Sequence, residues 1–175
     1  LMSKFATLAG HPEDVQFFAN EQEVTKSAFN KAFFNETEGC YDNNTVTANM
    51  LPLYFGMVPT GNEQKVFNNI VKKTEVDFGG HVSTGVVGIE ELMRGLTKFG
   101  NPELAFKIAS NDTYPSWGYM AKNGATTIWE LWNGNTADPA MNSGNHVMLL
   151  GDLLIWDMEY IGGISAAEPG FKTVQ

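Results

Sequence analysis

Residues 89–110, IEELMRGLTKFGNPELAFKIAS, decide the fold. Ile89, Leu92, Met93, Leu96 and Phe99 recur at three- and four-residue spacing, the pattern of a helix with one apolar face. Gly100 stops that helix. Asn101-Pro102 opens the next, with Asn101 as N-cap and Pro102 at the first helical position, where a missing N–H costs nothing. Two helices joined so tightly read as a helical hairpin.

Working outward towards the N-terminus, residues 1–10 read as the end of a helix stopped by Gly10 and Pro12. Glu13 to about Phe34 is a second helix, with Val24, Ala28, Phe29, Ala32 and Phe33 as its apolar stripe. NETEGCYDNN, residues 35–44, is a turn-rich loop. Thr45 or Thr47 caps a third helix through TANMLPLYFGMVP, with Pro52 in its interior as a source of a kink or a late start. Glu63 to about Glu75 is a fourth, carrying Val66, Phe67, Ile70 and Val71 on one face. Towards the C-terminus a last helix spans about Asn145 to Ile161, with Val147, Leu150, Leu154, Met158 and Ile161 spaced to one side. Gly162-Gly163 ends it. The tail, PGFKTVQ, alternates like a strand with no partner left in the chain.

The reading is therefore all-α, six or seven helices in hairpins, with longer loops at 76–88 and 112–145 that gather the Gly, His and Trp residues. No repeat of fixed period is present, which favours an α/α toroid over an armadillo-type array. One exception is expected: a short β-hairpin near 115–132, turning at Lys122-Asn123-Gly124.

A chain of 175 residues with 43% hydrophobic and 18% charged residues is enough for one domain with a core. Its net charge of −9 argues against nucleic acid as a partner, because phosphate binding needs Lys and Arg. The single cysteine, Cys40, excludes an internal disulfide. There is no CxxC or His-rich spacing to hold a metal, and no apolar run of membrane-spanning length. The first residues are too polar for a signal peptide. The chain does not begin with Met, and it reads as a piece cut from something longer.

Chemistry concentrates in Gly124–Gly134, GATTIWELWNG. In an extended segment Trp129 and Leu131 point one way, Glu130 and Trp132 the other. A carboxylate beside an indole suits a sugar cleft, with Glu130 as a candidate acid or base; the plainer reading makes both tryptophans core and Glu130 a turn cap. His146, at a helix start, is placed to meet a hydroxyl or anion, or only water and backbone. His81 lies in a glycine-rich loop that permits close backbone approach, or is a plain turn residue. Trp117 is a cleft wall or a core residue. Asp112 and Asp138 read as solvated loop carboxylates. Ser83 and Ser143 lack a nucleophile motif, and no phosphate loop exists.

Three blocks, HVSTGVVG, YPSWGYMAKNGATTIWELWNG and DPAMNSGNHVMLLGDLLIWDMEYIGGI, resemble in order and spacing the catalytic domain of bacterial α-L-rhamnosidases, glycoside hydrolase family 78. The upstream TANMLPLYFGMVP agrees, and the likeness covers nearly the whole chain. It implies an (α/α)6 barrel, with residues 1–163 as its C-terminal half and 164–175 as a tail leading towards a missing C-terminal β-sandwich. It implies an inverting hydrolase of terminal α-L-rhamnose, with a rhamnose-containing oligosaccharide or glycoside as partner and no cofactor. The family's general base lies in the IWE motif, here Glu130. The histidine of MNS-x-NH, here His146, contacts the sugar. Trp129 and Trp132 flank the base, and HVSTG, with His81 and Thr84, borders the cleft. Leu131 stands where many members have Arg, and Asn133 where many have Asp. The family's general-acid motif has no match here, so the isolated chain is expected to lack turnover. Uncovered barrel faces are expected to drive self-association. Two other readings are a toroid glycosidase of different sugar preference and a non-enzymatic carbohydrate-binding or assembly module. Localisation is not legible; a bacterial periplasm or cytoplasm fits better than a membrane.

Overall fold

A computed structural model describes the backbone of residues 1–175 and the side chains of all but residues 147–151. The elements in order are α1 (Met2–Leu8), α2 (Pro12–Phe33), β1 (Phe34–Asn35), β2 (Cys40–Tyr41), α3 (Val46–Tyr54), α4 (Glu63–Lys72), α5 (Ile89–Lys98), α6 (Pro102–Ser110), α7 (Trp117–Lys122) and α8 (Val147–Trp156). Wide helical turns continue α4 over Lys73–Asp77 and α8 over Asp157–Ile161.

The local signals work as chemistry dictates. The Thr45 hydroxyl accepts the Ala48 N–H at 3.2 Å to start α3, and Asn101 Oδ1 accepts the Leu104 N–H at 3.1 Å to start α6. Pro52 lies inside α3, which ends at Tyr54 soon after the proline has removed one helical hydrogen bond. β1 and β2 form an antiparallel pair, Phe34 opposite Tyr41 and Asn35 opposite Cys40.

Helix α5 is the hub: it packs against α3, α6 and α8. Ile89, Leu92, Met93 and Leu96 are fully buried, worth roughly 1.5–3 kcal/mol each in removal from water. Gly95 lets α3 come close, since a Cβ there would sit 2.3 Å from Met50 Sδ. Thr47 meets Gly88 and Met50 meets Gly95, so α3 and α5 run parallel. Asp152 shares the electrostatic environment of Glu90, while Trp156, one turn on, reaches Thr97, so α8 runs parallel to α5 as well. Three parallel helices separated by return helices is the arrangement of one layer of an α/α toroid. The loops that precede α3, α5 and α8 therefore share one end of the molecule.

The structure corrects several expectations. No hairpin forms near 115–132; that stretch begins with α7. The Ser116 hydroxyl accepts the Tyr119 N–H at 2.9 Å, and Trp117 and Met120, three apart, bury one face, so a helical period wins over aromatic alternation. Among the described residues the two-stranded sheet is β1–β2, well before that stretch. The tail is not partnerless: Ser165 and Gln175 exchange backbone bonds at 2.9 and 3.0 Å, with Ala166 bridged to Val174. The α2 stripe is largely uncovered, with Val24 63% and Phe33 46% exposed and no fully buried residue on the helix. In the last helix Leu154, Met158 and Ile161 face solvent, while Leu153 and Trp156 reach the core. A helix apolar nearly all round has no periodicity to fix its rotation; the Trp156 indole N–H, donating to Thr97 Oγ1 at 2.8 Å, fixes it. Val147 and Leu150 lie outside the described side chains.

Candidate active site

The segments that carry Glu130 and His146 meet through the backbone. The His146 N–H donates to the Ile128 carbonyl at 2.6 Å, and the Glu130 N–H donates to the Ser143 carbonyl at 2.9 Å. The Ser143 N–H donates to Glu130 Oε2 at 3.0 Å, and the Leu131 N–H to Asn142 Oδ1 at 3.0 Å. The Thr127 hydroxyl adds a bond to the Gly144 carbonyl. Residues 127–131 and 142–146 are thus laced together, although neither is a regular strand. Thr127 and Ile128 supply donor and acceptor groups on one side. On the other, Asp138 folds the approach: its carbonyl accepts the Met141 N–H at 2.9 Å and its carboxylate the Ala140 N–H at 2.9 Å. The loop carboxylate expected to be merely solvated is a turn former.

The lacing ends at α8, with His146 at its N-cap position. Glu130 is exposed and His146 half-buried, so both are open to a ligand at the end shared by the long loops. Trp129 is half-buried with its ring over Gly134, where a Cβ would lie 2.6 Å from the indole. Trp132 is half-buried too; its indole N–H donates to the Thr84 carbonyl at 3.3 Å, and its ring meets Trp117 edge-on at 5.3 Å. That contact joins the loop before α5 to the loop before α8.

Three other expected ligand contacts fare differently. Trp117 is 6% exposed and belongs to the core, with only an edge at a depression of about 190 Å³ beneath 125–128. Thr84 is 3% exposed, and it is its carbonyl that is used, as an acceptor. His81 has both ring nitrogens engaged, Nδ1 with the Phe78 carbonyl at 3.1 Å and Nε2 with Thr113 Oγ1 at 2.8 Å. It ties two loops together. Asn142 and Ser143, which make the lacing, entered the sequence reading only within the MNS-x-NH motif, and Ser143 as a serine without a nucleophile motif; that motif was the available signal.

The parallel helices below carry a charged seam. Burial pushes the Asp152 carboxyl up to about 6, with Glu90 and Glu91 adding to the rise and Arg94 opposing it. Burial also raises Glu91. Arg94 pairs with Glu90 at 2.9 Å along α5. A groove of about 380 Å³ lies between α2 and α3 and is lined by Phe29, Phe33, Leu51 and Phe55 among others. It is apolar, and none of its lining residues belongs to 127–131 or 142–146. Among the described residues the one cluster with metal-ligand spacing is exposed His11, Glu13 and Asp14, where acids suit the first turn of α2.

Residues 1–161 match the bacterial alpha-L-rhamnosidase six-hairpin glycosidase domain. The chain belongs to that family. It is 32% identical over 180 residues to an alpha-L-rhamnosidase of Formosa agariphila, covering 99% of this chain and 19% of that protein. Against an alpha-L-rhamnosidase of Streptomyces avermitilis it is 31% identical over 154 residues, covering 85% of this chain and 15% of the relative. The structure of alpha-L-rhamnosidase from Dictyoglumus thermophilum superposes with a TM-score of 0.90 at 37% identity, over 98% of this chain and 19% of that one. The Streptomyces avermitilis alpha-L-rhamnosidase complexed with L-rhamnose superposes with a TM-score of 0.91 at 29% identity, over 98% and 17%. The chain spans about a fifth of the length of these relatives. It is a fragment of the six-hairpin catalytic domain, and its helical hairpins are part of an α/α toroid.

Proposed function

We propose that residues 1–163 form the C-terminal half of an (α/α)6 glycosidase domain, with 164–175 leading towards a β-sandwich. In the full-length protein Glu130 is then the general base of an inverting α-L-rhamnosidase, and His146 and Trp129 contact the sugar. The observation that carries this is the lacing of 127–131 to 142–146. It brings the segment that carries the exposed Glu130 against the segment that ends in His146 at the start of α8, which supports one shared site. The Streptomyces avermitilis relative was solved with L-rhamnose, which supports a terminal rhamnose as the group released.

In this mechanism Glu130 takes a proton from water as the water oxygen bonds to the anomeric carbon. The glycosidic C–O bond breaks on the opposite face, and a carboxylic acid outside this chain protonates the leaving oxygen. The two carboxyl groups of an inverting enzyme stand roughly 6.5–9.5 Å apart, leaving room for that water. Ser143 occupies Glu130 Oε2, and no hydrogen bond to Oε1 occurs among the described residues, which leaves Oε1 for the water. The isolated chain has no turnover on this reading.

Glu130→Gln in the full-length protein keeps the backbone lacing and removes the base. Turnover of an aryl α-L-rhamnoside is expected to fall by about 10²–10⁴-fold. Retained turnover, or release of the retained anomer by the parent as seen by proton NMR, refutes the assignment. Turnover by the 175-residue chain alone places the acid within it.

A further inference from the structure

We propose that Asn142 is a positioning residue that aims Glu130. The inference rests on the reading of Glu130 as the base. Successive N–H groups of an extended strand point in opposite directions. Here the N–H groups of Glu130 and Leu131 both reach the same neighbouring segment, at Ser143 O (2.9 Å) and Asn142 Oδ1 (3.0 Å). The backbone therefore turns at Glu130, and the Asn142 side-chain carbonyl holds the rotated Leu131 amide in place of a strand rung.

Two further features show that the pairing is specialised around this point. Between the His146-to-Ile128 and Glu130-to-Ser143 bonds stands Trp129 alone on one side, and Gly144 and Asn145 on the other. The extra residue is a bulge, which re-aims the side chains beside it. The Ser143 hydroxyl accepts the Asn145 N–H at 3.3 Å and keeps the bulge closed. A regular pair would also return the Ser143 N–H to the Glu130 backbone carbonyl; instead it goes to Glu130 Oε2 at 3.0 Å. The carboxylate thus replaces a backbone acceptor, which fixes its direction. That replacement needs the turn at Glu130, and Asn142 is the side chain that pins the turn. Asn142 is itself half-buried, while its bond to the Leu131 amide lies at the surface.

The test uses two conservative variants. Asn142→Leu keeps the shape and removes the acceptor; Asn142→Asp restores an acceptor oxygen. In the 175-residue chain, hydrogen exchange at the Leu131 and Ser143 amides is expected to quicken about 10-fold or more in Asn142→Leu, with the α5 amides unchanged. In the full-length protein, kcat on an aryl α-L-rhamnoside is expected to fall about 10-fold or more while KM stays within about twofold, since a displaced base affects the chemical step. Asn142→Asp is expected to recover most of that loss. Unchanged exchange, an unchanged kcat, or an Asp variant as impaired as the Leu variant overturns the proposal. Glu130→Gln runs alongside. If it is inactive while Asn142→Leu is fully active, only the positioning role fails. If Glu130→Gln is active, the base assignment fails and the positioning role with it.

Discussion

Removing one hydroxyl at Thr97 tests how α8 is docked. The Trp156 side chain is 2% exposed, and its indole N–H has the Thr97 hydroxyl as acceptor at 2.8 Å. Thr97 in turn donates to the Met93 carbonyl at 3.0 Å, so its proton is committed and its lone pair faces Trp156. Thr97→Val keeps the β-branched shape and strands a buried indole N–H. Leaving such a donor unpaired costs about 1–3 kcal/mol, whereas deleting both partners together is nearly neutral. Thr97→Val is therefore expected to cost about 2 kcal/mol in the parent and under about 0.5 kcal/mol in a Trp156→Phe background, a coupling of about 1.5 kcal/mol. For a chain of this size 2 kcal/mol corresponds to a fall in Tm of roughly 4–8 °C. Urea unfolding followed by circular dichroism, at one fixed protein concentration, measures all four corners of the cycle. Equal costs in the two backgrounds would refute the idea that this one hydrogen bond sets the rotation of α8, and with it the account of how His146 is carried to the site.

Gly118→Ala should be severe for its size, because the new Cβ would lie 2.4 Å from the Asn111 backbone carbonyl oxygen, which has no freedom to move; a loss of about 1–3 kcal/mol in chemical unfolding is expected. Asp152→Asn should stabilise the chain at neutral pH and hardly at all near pH 4. The folded-state value of about 6 is above the ordinary carboxyl value of 3.8, so protonation favours the fold; the benefit is complete below the unfolded value and lost as pH rises through the folded one. Thermal melts of parent and variant across that range read the sign directly, and a larger gain at acid pH would contradict it. The chain should self-associate in sedimentation, because Phe17, Val24 and Phe33 on α2 and the groove beside it leave apolar surface open; Phe33→Ser should shift the equilibrium towards monomer. A parent that sediments as a clean monomer at high concentration would remove that expectation.

What the sequence determined by itself is whatever depends on neighbours a few residues apart. Asn101-Pro102 starts α6, Thr45 starts α3 and Gly100 stops α5, because a cap or a stop is a contact within one turn of chain. The order of the blocks around Glu130 and His146 likewise carried the family, since spacing along the chain is information the sequence holds outright. Tertiary structure decided the rest. Aromatic alternation in 114–132 could not reveal that Trp117 and Met120 would bury one helical face. An α8 apolar on every side could not announce which side meets α5 until Thr97 offered Trp156 an acceptor. The periodicity of α2 marks a face that wants cover, but not whether cover is present, and here Val24 and Phe33 stay open. The candidate site is tertiary in origin: nothing local joins residue 130 to residue 143, and backbone groups, which every residue shares, do most of the joining. Hydrogen bonds between backbone amides and carbonyls leave almost no mark on composition, so a site assembled from them is legible only once the chain has folded.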